Sequence, residues 1–568
     1  MTADSSPRRV AYFTMEVALD NAIPTYSGGL GVLAGDTLRS GADLHAPMVA
    51  ISLLYRSGYF RQYLDGSGHQ SEGPFEWDPS QFLKRLDVKV ELQLEGRTIA
   101  VQPWLYTIQG VTGGTIPVYL LDTDMPENDP LDRALTGALY GGDQRYRLMQ
   151  EALLGLGGLK MLKALGYNQI ETHHMNEGHS TLLTLGLVAE VSGSPDLSRV
   201  TDHHFHTVRR QCILTTHTPV SAGHDRFHLG LVEQVLGSDW AKAIVRMPYF
   251  SGERLNMTHL GLFFSRYVNA VARLHRETAS AMYPDYTIKS ITNGVHPVTW
   301  AAPAFAELFD SEIPGWRQDS EFLRQATDIA TWKLRDAHAA AKADLLDAVK
   351  KRTGVQMDPN VFTIGFARRA ATYKRADLVF TDIDQLAHIA AEVGQIQFIF
   401  AGKAHPADDG AKYLIQNVVR AGEQLSGRVP LVYVADHDMA LGKLLCSGVD
   451  LWMNNPRKPM EASGTSGMKA ALNGVPSLSI LDGWWPEGWF EGVTGWSIAD
   501  GEGGGDEPDS RAEAFSIYDK LRNHIVPMFY NEPDRYASIM RNSIAINGAY
   551  FSSQRMLEQY MRNAYRLL

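Results

Sequence analysis

Glu461-Ala-Ser-Gly-Thr-Ser-Gly-Met-Lys469 holds one acid and one lysine, with a run of small, hydroxyl-bearing and glycine residues between them. The spacing predicts a loop running into a helix. Met468-Lys-Ala-Ala-Leu472 is built of strong helix formers, and Gly464, Thr465, Ser466 and Gly467 leave the amides at its start uncovered. Such a helix start can cradle an anion. A lysine among those donors can be a plain charge partner for a phosphate, or it can condense with an aldehyde cofactor that brings its own phosphate. The spacing leaves both chemistries open, together with a capped helix that merely carries a surface lysine.

Upstream of this stretch the same arrangement recurs, a buried strand followed by a polar turn. Val361-Phe-Thr-Ile-Gly-Phe366 runs into Arg368-Arg-Ala-Ala-Thr-Tyr-Lys-Arg375, and four cations directly after a buried strand predict an anion at its carboxyl end, with a solvated basic face as the alternative. Gln397-Phe-Ile-Phe-Ala-Gly-Lys403, Val429-Pro-Leu-Val-Tyr-Val434 and Asp450-Leu-Trp-Met453 repeat the pattern. Residues 321–351 read as a long helical region, with Gly354 near its end.

In the first half, Val10-Ala-Tyr-Phe-Thr14 reads as a buried parallel strand leading to Glu16 and to Tyr26-Ser-Gly-Gly-Leu-Gly-Val32, with a helix over 32–43. Gly28, Gly29 and Gly31 permit close approach of a ligand oxygen or phosphate to the amides of that helix. Strands are expected at 48–54 and 117–121, and a helix over 145–165. The alternation predicts an α/β chain of two Rossmann-like domains whose strand ends face a common cleft. We place an N-terminal domain at 1–299, a helical connection at 300–358, a second domain at 359–535, and a C-terminal helix at 536–568 crossing back to the first domain.

Composition limits the function classes. The 568 residues are 44% hydrophobic and 21% charged with a formal charge of −11, which argues against a nucleic-acid or anionic-membrane binder. Cys212 and Cys446 lie far apart and fit no disulfide or zinc pattern, so both read as core thiols of a reducing compartment. The start of the chain lacks the apolar run of a secretory signal, and the expected location is cytoplasmic. In His173-His-Met-Asn-Glu-Gly-His179 the adjacent histidines point apart in any regular element, so no metal site is expected. His217, where the apolar strand expected in Cys212-Ile-Leu-Thr-Thr-His-Thr-Pro219 ends at His217-Thr218, and Asn293 in Ser290-Ile-Thr-Asn-Gly-Val-His-Pro297 are placed to hydrogen-bond a polar ligand, although a core histidine satisfied by backbone is an alternative for His217. Residues 500–506 read as a flexible surface loop.

Together these pieces closely resemble the α-glucan (glycogen, starch, maltodextrin) phosphorylases, pyridoxal-phosphate-dependent retaining glycosyltransferases of the two-Rossmann, GT-B type fold. The resemblance runs in order from about residue 11 to about residue 483. It is carried by Ser27-Gly-Gly-Leu-Gly31, Tyr55-Arg-Ser-Gly-Tyr-Phe-Arg-Gln62, Asn176-Glu177, Thr216-His-Thr218, Thr292-Asn-Gly294, Arg369 with Tyr373-Lys-Arg375, Gly402-Lys-Ala404, and Glu461-Ala-Ser-Gly-Thr465 with Met468-Lys469. It implies that Lys469 carries the cofactor aldehyde, that Thr465, Ser466, Gly467 and Gly29 serve the cofactor, and that Arg369 and Lys374 hold the substrate phosphate. It puts His217, Asn293 and Glu461 on hydroxyls of the glucosyl unit, with Gly28, Leu30, Gly31, Ala462, Ser463 and Gly464 lining the substrate. The implied partners are an α-1,4-glucan, orthophosphate and glucose 1-phosphate, and a homodimer is common in the family.

One substitution discriminates within the fold. Many nucleotide-sugar enzymes of this architecture carry two glutamates separated by seven residues, the second holding a ribose. Here Lys469 stands in the second position. A lysine cannot accept ribose hydroxyl protons but can react with an aldehyde, which favours pyridoxal phosphate over a sugar nucleotide and disfavours a glucan synthase. The presence of Lys469, Arg369, Lys374 and Glu461 together argues against a non-catalytic glucan-binding protein. The chain departs from the family at Ala370-Ala-Thr372, at Ser466-Gly467 and in the tryptophan-rich Asp482-Gly-Trp-Trp-Pro-Glu-Gly-Trp489, which reads equally as an acceptor-stacking surface or a packed cap. Compared with the large animal and plant enzymes, the chain starts almost at the first strand, so regulation through a long N-terminal extension is not expected.

Overall fold

The computed structural model describes residues 7–193, 200–220, 223–247, 250, 252–499 and 510–568. They form two compact units. The first takes the described residues within 1–60, 74–291 and 556–568, and the second those within 61–73 and 292–555. Residues 300–358, read above as a connection, cluster with the second unit. The expected loop at 500–506 lies outside the described residues.

The first unit is built on a ten-stranded sheet. Its strands include β1 (Val10–Thr14), β2 (Met48–Leu53), β3 (Arg97–Gln109), β4 (Thr115–Asp122), β5 (Thr172–Asn176), β6 (Cys212–Thr215), β7 (Tyr267–Ala270) and β8 (Lys289–Ser290). Their order is β8-β7-β6-β5-β1-β2-β4-β3, parallel from β8 to β4, with β3 antiparallel to β4. Val10 pairs with Met48 on one side and Thr172 on the other, so the strand order reverses beside β1. In such sheets ligands bind outside the carboxyl ends at the reversal.

Side-chain alternation divides the core. Ala11, Phe13, Val49 and Ile51 pack on one face of the sheet, and Val10, Tyr12, Met48 and Ala50 on the other. Met556, Leu557, Tyr560 and Tyr565 of the C-terminal segment complete the second face. His173 and His174 on β5 do point apart. His173 lies beside Phe13, while the ring of His174 hydrogen-bonds Tyr565 and Thr215. Helix α1 spans Gly29–Asp43 and so begins three residues before the run that its sequence predicts. Glycine is a poor former in a helix interior, but in the first turn its amide has no intrahelical partner to lose.

The second unit carries a six-stranded sheet that is parallel throughout. It follows α2 (Thr331–Thr353), which Gly354 closes with φ +75. The predicted run over 321–351 is broken, because a 3-10 segment, Ser320–Asp328, precedes α2. The strands are β9 (Phe362–Ala367), β10 (Ile396–Ala401), β11 (Leu431–Val434), β12 (Leu451–Asn454), β13 (Ser477–Ile480) and β14 (Gly495–Ile498), in the order β11-β10-β9-β12-β13-β14. Here the reversal lies between β9 and β12. Phe362, Ile364, Phe366, Phe398 and Phe400 fill one face, and Ala367, Ile399, Ala401 and Val434 the other. The short helix α3 (Ser466–Leu472) runs between β12 and β13. Both thiols, Cys212 and Cys446, are buried. Among the described residues no helix is long and apolar enough to cross a membrane.

Candidate active site

In the first unit the carboxyl ends of β1, β5 and β6 gather the predicted residues. Glu16, just past β1, takes up the glycine turn through its side chain. Its carboxylate accepts from the Ser27 amide at 2.6 Å, the Gly28 amide at 3.2 Å and the Tyr140 hydroxyl at 2.9 Å. Tyr140 in turn carries the Arg147 guanidinium 4.6 Å above its ring. Gly28 is the N-cap of α1, and the first intrahelical bond runs from Val32 back to Gly28 at 3.2 Å. Gly29, Leu30 and Gly31 therefore supply first-turn amides. A methyl group on Gly31 would lie 2.7 Å from the Glu16 carboxylate and from Tyr26, whereas Gly28 and Gly29 have open space where a side chain would stand.

His217 follows β6 and is held by the residues after β5. Its amide donates to Glu177 at 2.7 Å, and its Nε2 lies 2.7 Å from the Asn176 side-chain oxygen. The Asn176 amide nitrogen already donates to Thr14, which assigns the Nε2 proton to the Asn176 bond. Burial pulls the imidazole down to about 3, with the neighbouring His275, His174 and His179 reinforcing the shift. His217 is thus a neutral ring whose other nitrogen can accept from a hydroxyl.

In the second unit the centre is Glu461. Burial would raise its pKa, but Arg368 and Lys374 overcome this and hold the carboxyl below its usual range. Arg368, the first residue after β9, donates to Glu461 at 2.5 Å and to the Asn454 side chain at the end of β12. The Lys374 ammonium lies 3.6 Å from the same carboxylate oxygen. Burial, reinforced by Arg368 and against the pull of Glu461, brings Lys374 down to about 7. Arg369 is exposed, and its charge contributes to the lowering of Lys374. Arg375 is fixed by Glu513 and by the carbonyls of Asn455 and Pro456 at 3.0 and 2.8 Å. The chain's own carboxylates therefore take Arg368 and Arg375 into close pairs.

Lys469 is the fourth residue of α3, only 8% exposed, with its ammonium 3.7 Å from the Trp300 ring centroid. Asn473 fixes this pair, donating to the carbonyls of Lys469 at 2.9 Å and Trp300 at 3.0 Å and accepting from the Ala302 amide at 2.8 Å. A lysine buried against a ring and anchored from its own backbone fits an amine that serves a bound group better than a surface charge. Ser466, Gly467 and Met468 stand before the first intrahelical bond of α3, which runs from Lys469 to Thr465 at 3.2 Å. Gly464 needs its positive φ of +81 to make the turn between Glu461 and the helix. The Ser463 hydroxyl and the Asn293 side-chain oxygen are buried polar atoms with no partner among the described residues. Buried polar atoms are rarely left so, and both suit hydroxyls or phosphate oxygens of a ligand. Ala462 lies between Glu461 and Ser463 and is partly exposed.

Sequence reasoning counted Arg368 only among four cations awaiting an anion, and it assigned no role to Asn454 or Asp482. The carboxylate of Asp482 accepts from the Glu461 amide at 2.9 Å. Of the tryptophans, Trp484 and Trp485 are buried against each other and Phe551, so this part of the run is a packed cap.

The chain is similar to known proteins along its length. A family model described as carbohydrate phosphorylase matches residues 203–485. The chain is 37% identical to a glycogen phosphorylase of Mycobacterium tuberculosis strain H37Rv, over 100% of this chain and 71% of that protein. It is 35% identical to a maltodextrin phosphorylase of Thermococcus litoralis, over 98% of this chain and 70% of that one. A glycogen phosphorylase of Aquifex aeolicus is 32% identical, over 99% of this chain and 87% of the relative.

Proposed function

Because the chain belongs to the carbohydrate phosphorylase family, we propose that it is an α-1,4-glucan phosphorylase that uses orthophosphate to release glucose 1-phosphate with retention of configuration. The observation that carries this reading is Lys469, buried over Trp300 and held there by Asn473, eight positions after the carboxylate of Glu461. This is where the family's cofactor lysine belongs, and it occupies the place where a nucleotide-sugar enzyme would need a carboxylate. Lys469 holds pyridoxal phosphate, and Thr465 and the amides of Ser466 and Gly467 receive its phosphate. When bound, the cofactor supplies a phosphate group that can share a proton with orthophosphate.

The remaining steps belong to the chain. Arg369 and Lys374 bind orthophosphate, and the low proton affinity of Lys374 in the free protein makes its charge responsive to that anion. Orthophosphate gives a proton to the glycosidic oxygen as the bond to the anomeric carbon breaks. Its own oxygen then bonds to that carbon from the same face. Glu461, Asn293 and neutral His217 receive sugar hydroxyls, and Ala462, Ser463 and Gly464 follow the outline of the sugar. The amides of Gly29, Leu30 and Gly31 donate to phosphate or sugar oxygens, and Gly28, whose amide Glu16 takes, lines the substrate in the same turn. Glu461 is a hydroxyl acceptor in this scheme, since its pairing with Arg368 and Lys374 keeps it ionised and unsuited to act as an acid.

A cytoplasmic location and a homodimer complete the proposal. The buried unbridged thiols suit the first, and size-exclusion chromatography with light scattering tests the second. The deciding experiment reconstitutes the purified protein with pyridoxal phosphate, reduces it with borohydride and maps the labelled peptide, then measures glucose 1-phosphate release from maltodextrin. The expected label is on Lys469 and the expected release depends on orthophosphate. Label elsewhere, or an obligatory requirement for ADP-glucose or UDP-glucose, rejects the reading.

A further inference from the structure

The tryptophan-rich segment at 482–489 touches two stretches that lie about 170 residues apart in sequence. At its start, Asp482 accepts from the Glu461 amide and from the Gly483 amide, both at 2.9 Å. The Trp484 amide donates to the Ser463 carbonyl at 2.9 Å. Gly483 has φ +59, and a methyl group there would lie 2.3 Å from the Ser463 carbonyl oxygen. The Trp484 ring closes on α3, where a methyl group on Gly467 would meet it at 2.9 Å. The segment therefore grips 461–467 along one side through backbone and ring contacts.

Its other end holds a different strand end. Glu487, in the helical turn Trp485–Gly488, accepts from the Thr292 hydroxyl at 2.9 and 3.1 Å. Thr292 is the residue before Asn293, whose carbonyl, like that of Thr292, is fixed by Arg555 at 3.0 and 2.8 Å. The Gly488 carbonyl is tied down by the Asn547 side chain at 3.0 Å and the Thr494 hydroxyl at 2.8 Å. Pro486 stiffens the turn between the two ends.

The packing of Trp484 and Trp485 by itself would need only apolar contact. This segment instead commits two carboxylates, one of them buried, to the backbone of Glu461 and to the hydroxyl next to Asn293. Burying such groups is costly unless they do specific hydrogen-bonding work. At the two gripped stretches, Ser463 and Asn293 keep polar atoms that nothing among the described residues engages. We infer that residues 482–489 form a positioning bracket, with Asp482 setting Glu461 and Glu487 setting Asn293 at the spacing that one glucosyl unit requires. The inference rests on the phosphorylase reading for the identity of that ligand. Asp482 and Glu487 are positioning residues, since they reach the sugar only through other groups.

The test is a pair of double-mutant cycles on the pyridoxal-phosphate-loaded full chain, with D482A or E487A combined with E461Q or N293A. Each bracket variant alone is expected to lower kcat/KM for maltodextrin phosphorolysis about 10²-fold, the scale of a small misplacement of substrate-orienting groups. D482A should then be non-additive with E461Q and additive with N293A, and E487A the reverse. E487Q, which keeps an acceptor for Thr292, should recover most of the loss. Hydrogen exchange gives a readout without activity: the Glu461 amide should exchange faster in D482A than in E487A, with cofactor content unchanged. Equal coupling of either variant to both partners, wild-type kcat/KM in E487A, or unaltered exchange at Glu461 in D482A overturns the bracket. A wild-type protein that releases no glucose 1-phosphate overturns the phosphorylase reading instead, and the exchange measurement still decides the bracket.

Discussion

The chain contains two glycine-rich helix starts, and they use their glycines for opposite ends. At 27–31 the chain's own anion, Glu16, covers the Ser27 and Gly28 amides, and the methyl positions of Gly28 and Gly29 face open space. At 464–467 the glycines are consumed internally. Gly464 makes a left-handed turn, and Gly467 admits the Trp484 ring. Gly28 and Gly29 thus differ from Gly464 and Gly467 in what exchange of a hydrogen for a methyl group would meet, open space in the first pair and the fold in the second. The second helix start is the one surrounded by buried charge, so its substitutions should carry the larger energies.

The largest effect is expected from R368A. It would leave the Glu461 carboxylate buried with Lys374 at 3.6 Å in place of the closer pair, and breaking a buried pair from one side costs about 3–5 kcal/mol. Denaturant unfolding should show that loss, and adding E461Q to R368A should return a large part of it. If R368A proves neutral, the second helix start is not governed by buried charge and the contrast fails. G483A comes next. Its positive φ and its 2.3 Å approach to the Ser463 carbonyl predict a loss of about 1–3 kcal/mol, read as a lowered melting temperature.

The fold was legible because the strands of both sheets are mostly parallel, and buried parallel strands stand out as short apolar runs before polar turns. Glu461 and Lys469 could be singled out together because they share one continuous motif. Arg368 was not, since two adjacent arginines look alike until the end of β9 decides which one turns inward to Asn454 and Glu461. Four cations within eight residues overstated the case for a bound anion for the same reason, because Glu513 pairs Arg375 from 138 positions away. Asp482 and Asn473 hold backbone groups, a role that any sequence position could fill and no side-chain pattern announces. The burial of Trp484 and Trp485 was equally hidden, because a tryptophan run reads the same on a surface and in a core.

A smaller effect separates the two helix starts by charge. Lys374 binds its proton with a pKa of about 7 in the fold and about 10.4 when unfolded. The unfolded chain therefore holds more protons between these values, and stability should rise with pH across about 7 to 10 through this group. K374M should flatten that rise in melting temperature. Orthophosphate favours the ammonium form, so its binding at about pH 8 should draw in a fraction of a proton, measurable by calorimetry in buffers of different ionisation enthalpy. No proton uptake, or uptake retained in K374M, would place the phosphate away from Lys374.

The smallest expected change in stability is also the most informative. Gly29 is the first residue of α1 and is exposed, with no atom within 4 Å of the place a methyl group would take. Alanine is the better helix former, by up to about 1 kcal/mol in a helix interior and less in a first turn, so G29A should melt at or slightly above the wild-type temperature. If the first-turn amides serve a ligand, the added methyl group stands where phosphate or sugar oxygens must approach. Phosphorolysis should then fall by roughly tenfold or more, equivalent to about 1.4 kcal/mol of transition-state stabilisation. A stable G29A protein with wild-type kcat/KM for both glucan and orthophosphate would show that the space beside Gly29 is unused. The two glycine-rich turns would then differ only in packing.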